Sequence, residues 1–119
     1  MTTSEVFSSQ TDLRYSLRWV AIISSLIEQI DIAASTGVHD GTGVIKQLLA
    51  GAQAVQVCST IYKNGPSRIT EMLDELDKWM DEKKFDNLAA FRGSMNYKNI
   101  QDPEIYERSQ FMKYFSSHH

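Results

Sequence analysis

Apolar residues recur along this chain with two periods, one helical and one strand-like, and their alternation outlines its elements. Thr11 or Asp12 can cap a first helix. In it Leu13, Leu17, Val20 and Ala21 fall on one face, and Trp19, Ile22, Ile23 and Leu26 fall on a second. A helix apolar on two sides is expected to be sandwiched between neighbours; the pattern predicts its end near Glu28. Residues 30–34 form a short apolar run that fits a buried strand. A loop of small residues, 35–43, separates it from Val44, Ile45, Leu48 and Leu49, which repeat at helical spacing up to the natural stop at Gly51. Ala54, Val55 and Val57 predict a second strand, with Cys58-Ser59-Thr60 directly after it. Asn64-Gly65-Pro66 reads as a turn that opens another helix with Pro at its first position. That helix carries Ile69, Met72, Leu73, Leu76, Trp79 and Met80 as a stripe, opposite Asp74, Asp77, Lys78 and Asp81. Two weaker helices are predicted beyond it, one around residues 87–92 and one from Asp102-Pro103 toward Phe115.

The order is α-β-α-β-α plus C-terminal helices, an α/β pattern that argues for two parallel strands joined by crossovers. Residues 1–11, rich in Ser and Thr, read as a flexible lead-in; residues 12–85 hold the strand and helix units; residues 86–119 read as a C-terminal helical extension. A net charge of −3, from 12 Lys and Arg against 15 Asp and Glu, lacks the clustered basic face of a nucleic-acid binder. No apolar run reaches membrane-spanning length, and the polar start of the chain does not read as a signal peptide. Cys58 is the single cysteine and cannot form an internal disulfide, so a cytoplasmic location is expected. His118 and His119 receive no role.

The two loops that follow the strands carry the candidate chemistry. In parallel α/β folds ligands bind at the C-terminal ends of the strands. The first loop offers Ser35, Thr36 and Gly37; the second offers Cys58, Ser59 and Thr60. Gly37 lets backbone approach an anion closely, and successive N–H groups with flanking hydroxyls can form an anion-binding nest. The same residue types are ordinary turn formers, so the loops alone leave phosphate binding and plain turn chemistry both open.

The joint spacing is more specific. Ser35-Thr36-Gly37-Val38, Leu49-Ala50-Gly51-Ala52, Val55-Gln56-Val57-Cys58-Ser59-Thr60-Ile61-Tyr62 and Gly65-Pro66, with Phe91-Arg92-Gly93 near the end, resemble the dihydroorotate dehydrogenase family. The stretches Tyr15 to Trp19 and Asp31 to Gly37 look closest to a bacterial dihydroorotate-dehydrogenase-like branch. The resemblance implies the C-terminal portion of a (β/α)8 TIM barrel and an FMN-dependent oxidoreductase of pyrimidine biosynthesis, a flavoprotein that oxidises dihydroorotate to orotate. It also implies that the two loops hold the FMN phosphate through backbone N–H groups. By position Thr36 and Gly37 stand for the family's Gly-Gly pair, and Cys58 and Ser59 for its Gly-Thr pair. Thr36 and Cys58 each add a Cβ where the family has glycine, which a negative φ tolerates and a positive φ does not tolerate cheaply.

A complete barrel takes about 250 residues. The family's flavin-ring lysines, orotate-binding asparagines and catalytic base have no counterpart in this chain, so no catalytic residue is assigned and the isolated chain is expected to be inactive. Cys58 is read as a small buried thiol rather than that base. Two parallel strands leave open ladder edges, so a homo-oligomer, a complementing barrel fragment as partner, or a partly disordered chain is expected, with no nucleic acid and no membrane. His39 and Asp40 are read as a solvated loop whose Asp40 or Thr42 caps the next helix. Asp74, Glu75, Asp77, Asp81 and Glu82 alternate with Lys78, Lys83 and Lys84 and read as a solvated face, with no metal site. Phe111, Met112, Tyr114 and Phe115 are left open between a neighbouring subunit and this chain's own core. The alternative functional readings are a non-catalytic remnant or small helical interaction protein, and a different phosphate-binding barrel.

Overall fold

The computed structural model describes residues 9–96. Its centre is a helix with hydrogen-bond partners at both ends. This helix, α2 (Gly41–Ala50), begins at Asp40, whose Oδ1 accepts the Gly43 N–H at 2.8 Å. Glu75, reaching across from a neighbouring helix, accepts the Gly41 N–H through Oε2 at 2.9 Å. Of the two caps the sequence offers, Asp40 and Thr42, the structure uses Asp40. Glu75 belongs to the face read as solvated, and the free N–H at a helix start explains why its carboxylate is recruited.

At the other end Gly51 takes φ 126, a conformation suited to glycine, and its N–H meets the carbonyls of Gln47 and Leu48. The Ala52 N–H also bonds Gln47 O, Gly93 N–H bonds Leu48 O, Met95 N–H bonds Leu49 O, and Ser24 Oγ–H bonds Ala50 O at 2.9 Å. All four terminal carbonyls therefore have donors, three of them from other parts of the chain. The amide of Gln47, fully buried, adds a bond from Nε2 to Ser16 Oγ at 2.6 Å.

Around α2 pack α1 (Leu13–Leu26) and α4 (Ser67–Lys83). Leu17, Val20 and Ala21 of α1 are buried, as the first helical face predicts. The second face is not sandwiched: Trp19 is 60% and Leu26 75% exposed. Among the described residues nothing covers that side, which is the physical reason the expectation of a two-sided burial fails. Helix α1 also ends at Leu26 rather than near Glu28. In α4 Met72, Leu76 and Trp79 are buried, while Ile69 and Leu73 at the stripe's edge stay exposed. Pro66, predicted as the first helical residue, instead occupies the cap position of α4, which starts one residue later at Ser67.

The strands β1 (Ala33–Ala34) and β2 (Ala54–Val55) pair in parallel, Ala33 with Ala54 and Ala34 with Val55. Both are shorter than their apolar runs. Each has one neighbour among the described residues, so ladder pairing stops where the two diverge. Flanking bonds prolong the contact: Gln56 N–H to Ala34 O at 2.7 Å, and Ile32 N–H to the side-chain Oε1 of Gln53 at 2.6 Å.

Among the described residues, α3 (Ser59–Asn64), directly after β2, is a helix that periodicity did not reveal. Six residues give too short a window for a helical repeat. After α4 the chain turns at Lys84, and Asn87 caps a 3-10 turn, Leu88–Ala90, inside the region predicted as a short helix. Phe85 and Phe91 stack against Trp79 at 5.6 and 4.9 Å between ring centroids, and Phe91 and Met95 join the same core as α1, α2 and α4. At the start Ser9 N–H bonds Asp12 Oδ2 at 2.8 Å, and Gln10 Nε2 donates to Asp40 Oδ2 at 3.1 Å. Residues 1–8 of the predicted lead-in lie outside the described residues, as do the predicted helix from Asp102, the apolar cluster from Phe111 to Phe115, and His118 and His119.

Candidate functional site

Because β1 and β2 are parallel and in register, the loops that leave their C-terminal ends emerge side by side. Between them lies a cleft of about 140 Å³, lined by Ser35, Thr36, Gly37, Val38, Gln56, Val57, Cys58 and Ser59. The four residues singled out in the sequence, Thr36, Gly37, Cys58 and Ser59, therefore line one cleft. Gln56, Val57 and Val38 also line it and were not singled out. Their signal lay in position, since Val38 and Val57 each adjoin a chosen residue and Gln56 lies two before Cys58.

Each residue sits there for a local reason. Gly37 has φ 83 and packs against the start of α1; a Cβ on it would come within 2.6 Å of Leu13 Cα. Thr36 also has a positive φ, 81, the costly case for its Cβ. A β-branched residue held there costs of order 1–3 kcal/mol relative to a relaxed backbone. Cys58, at φ −140, carries its Cβ without that cost.

Cys58 is exposed, contrary to the reading of a buried thiol. The strand period explains it: Val55 and Val57 are half-buried, so Gln56 and Cys58 turn the other way. Ser59, the first residue of α3, is buried beside the cleft.

Thr60 has a different role from its neighbours. It is fully buried and donates its hydroxyl to His39 O at 3.2 Å, while accepting from Asn64 Nδ2 at 3.1 Å. Arg68 Nε donates to the same carbonyl at 2.9 Å. His39 is buried, not solvated, because its backbone is clamped between α3 and α4. The residues 60, 64 and 68, spaced by four, thus tie the first loop to the second, a bracing the sequence reading missed. The positive charge of Arg68 is engaged by Glu71 at 2.7 Å, whose hydrogen bond raises the arginine's affinity for its proton while partial burial opposes it.

Chemically the cleft is neutral. None of its eight lining residues is Lys, Arg or His. Its polar lining comes from hydroxyl, amide and thiol residues rather than from a cation. Among the described residues no group of His, Cys, Asp and Glu is arranged to hold a metal ion, and no helix is long and apolar enough to cross a membrane.

No family model matches the chain. Among curated proteins it is similar to a probable dihydroorotate dehydrogenase A (fumarate) of Streptococcus pneumoniae, 36% identical over 77 residues, which is 65% of this chain and 25% of that protein. The dihydroorotate dehydrogenase A (fumarate) of Lactococcus lactis is 29% identical over 75 residues, 63% of this chain and 24% of that one. Among solved structures, dihydroorotate dehydrogenase of Eimeria tenella in complex with ferulenol matches with a TM-score of 0.68 and 26% identity. That match covers 72% of this chain and 23% of the Eimeria chain. The chain spans about a quarter of the length of the curated relatives it matches. The sequence and structure comparisons thus both find dihydroorotate dehydrogenases, and the two parallel strands with their helices are consistent with a part of an α/β barrel. The partial coverage fits a C-terminal portion.

Proposed function

We propose that this chain, related in sequence and fold to part of the dihydroorotate dehydrogenases, is the part of such an oxidoreductase of pyrimidine biosynthesis that grips the phosphate of FMN. The observation that carries the reading is the convergence of Thr36, Gly37, Cys58 and Ser59 on one cleft at the C-terminal ends of two parallel strands.

The fit to a phosphate rests on size and on donors. At about 140 Å³ the cleft is well below the roughly 300–1,000 Å³ of a pocket that encloses a whole drug-sized ligand. It suits the tail of a flavin nucleotide, not its ring system. Ser35, Thr36, Gly37 and Ser59 line it, residues whose hydroxyl and backbone N–H groups are of the kind that suits oxyanions. The bracing of His39 O by Thr60 and Arg68 holds the two loops at a set distance, so little ordering is needed when the ligand arrives.

Bound flavin supplies the hydride acceptor of the reaction. This chain's residues anchor and orient it, and they include no base matched to the family's own. A base must stand within hydrogen-bond reach of the substrate proton, so the isolated chain with FMN is expected to show no dihydroorotate oxidation above a flavin-only control. Turnover above that control would overturn this part of the proposal. The binding itself is tested by phosphorus NMR of FMN titrated with the chain. The FMN phosphorus line should broaden or shift and recover on adding excess inorganic phosphate; an unmoved line would remove the assignment.

A further inference from the structure

We propose that Thr36 binds the phosphate through its side-chain hydroxyl, and that the loop keeps a strained backbone there to present it. The inference rests on the phosphate reading above and goes beyond backbone recognition. Thr36 is β-branched and sits at φ 81, where glycine would be relaxed. Such a conformation persists only where the surroundings impose it. The imposition comes from the next residue. Gly37, at φ 83, lies against the first turn of α1 with no room for a Cβ, which fixes the path of the loop.

Nothing in the fold itself rewards a threonine at this point. Thr36 is exposed, stands outside the hydrophobic core, and makes no hydrogen bond with another described residue. What Thr36 does do is line the cleft, beside Ser35 and Ser59. The cleft offers no Lys, Arg or His, so a phosphate there depends on neutral donors, and each one carries a larger share of the binding. Glycine at this position would offer one backbone N–H. Threonine offers that N–H and a hydroxyl, which suits a phosphate monoester with three peripheral acceptor oxygens.

The test uses the full chain and its T36G, T36A and T36S variants. Two readouts are taken: dissociation constants for FMN and for riboflavin, which lacks the phosphate, by flavin fluorescence, and the melting temperature of the free chain. T36G should melt higher and bind FMN about tenfold more weakly, as expected for loss of a hydrogen bond to a charged group. T36A should weaken FMN similarly without the gain in melting temperature, and T36S should stay within about twofold of the parent. Riboflavin binding should not change. If T36G or T36A binds FMN as tightly as the parent, the hydroxyl is not a ligand and the proposal fails while the phosphate site stands. If T36G melts no higher, the strain is absent and that half fails. If the parent chain does not prefer FMN to riboflavin, the phosphate reading itself fails and this inference with it.

Discussion

At Gly37 and Gly65 the backbone takes nearly the same dihedral, φ 83 and 84, yet the two positions differ in what surrounds them. A Cβ at Gly65 would meet nothing within 4 Å, whereas one at Gly37 would press on the Leu13 backbone. Gly65, at φ 84 and ψ 169, lies in a region that glycine alone visits freely, so Gly65→Ala is expected to cost that backbone strain alone, of order 1–3 kcal/mol. Gly37→Ala adds a clash with helix backbone, which has no flexible end to yield, and is expected to exceed Gly65→Ala by about 2 kcal/mol or more. Urea unfolding of the two variants measures the difference. Equal midpoint shifts would mean that the loop does not lean on α1. The contrast bears on the site, because the position that fixes the Thr36–Gly37 loop against α1 is the same one that lines the cleft.

At the scale of elements, the turn after α4 does more than connect. It donates Gly93 N–H and Met95 N–H to the end of α2 and inserts Phe91 against Trp79, edge to face at 4.9 Å. Phe91→Ala is expected to cost about 3–5 kcal/mol, a large share of the total stability of a small domain. A calorimetric or denaturant melt should show the loss, and a shift under 1 kcal/mol by linear extrapolation would place Phe91 outside the cooperative core. Much of this layer was legible in the sequence because its signals are local. Asp40 before Gly41, Gly51 after Ala50, and the Met72, Leu76 and Trp79 spacing each declare an element by themselves. What escaped was set by tertiary contact. Helix α3 is too short to show a period; His39 is buried only because Thr60 and Arg68 converge on its carbonyl. The length of β1 and β2 depends on neighbours that no single apolar run records. At the cleft, the residues were legible from their types and spacing, but the exposure of Cys58 and the positive φ of Thr36 were not.

At the scale of the whole molecule, the described residues leave two kinds of surface open. One is the pair of ladder edges flanking a two-stranded sheet, which alone is marginal in water. The other is the outer face of α1, where Tyr15, Trp19 and Leu26 are all more than half exposed. The chain spans about a quarter of the length of the curated relatives it matches. On that basis the 13.5 kDa chain is expected to self-associate or to take up a complementing barrel fragment, and Trp19→Glu to weaken the self-association. Analytical ultracentrifugation reads this directly: a parent chain sedimenting as a monomer at high concentration would contradict it. The central claim, that the cleft between the Thr36–Gly37 and Cys58–Ser59 loops holds the phosphate of a flavin nucleotide, is tested most directly by fluorescence titration of FMN against riboflavin with the unaltered chain. FMN should bind at least about tenfold tighter, the discrimination expected of charge-assisted hydrogen bonds to a phosphate, and inorganic phosphate should abolish the difference. Equal affinity for the two flavins, or binding of neither, would contradict the account.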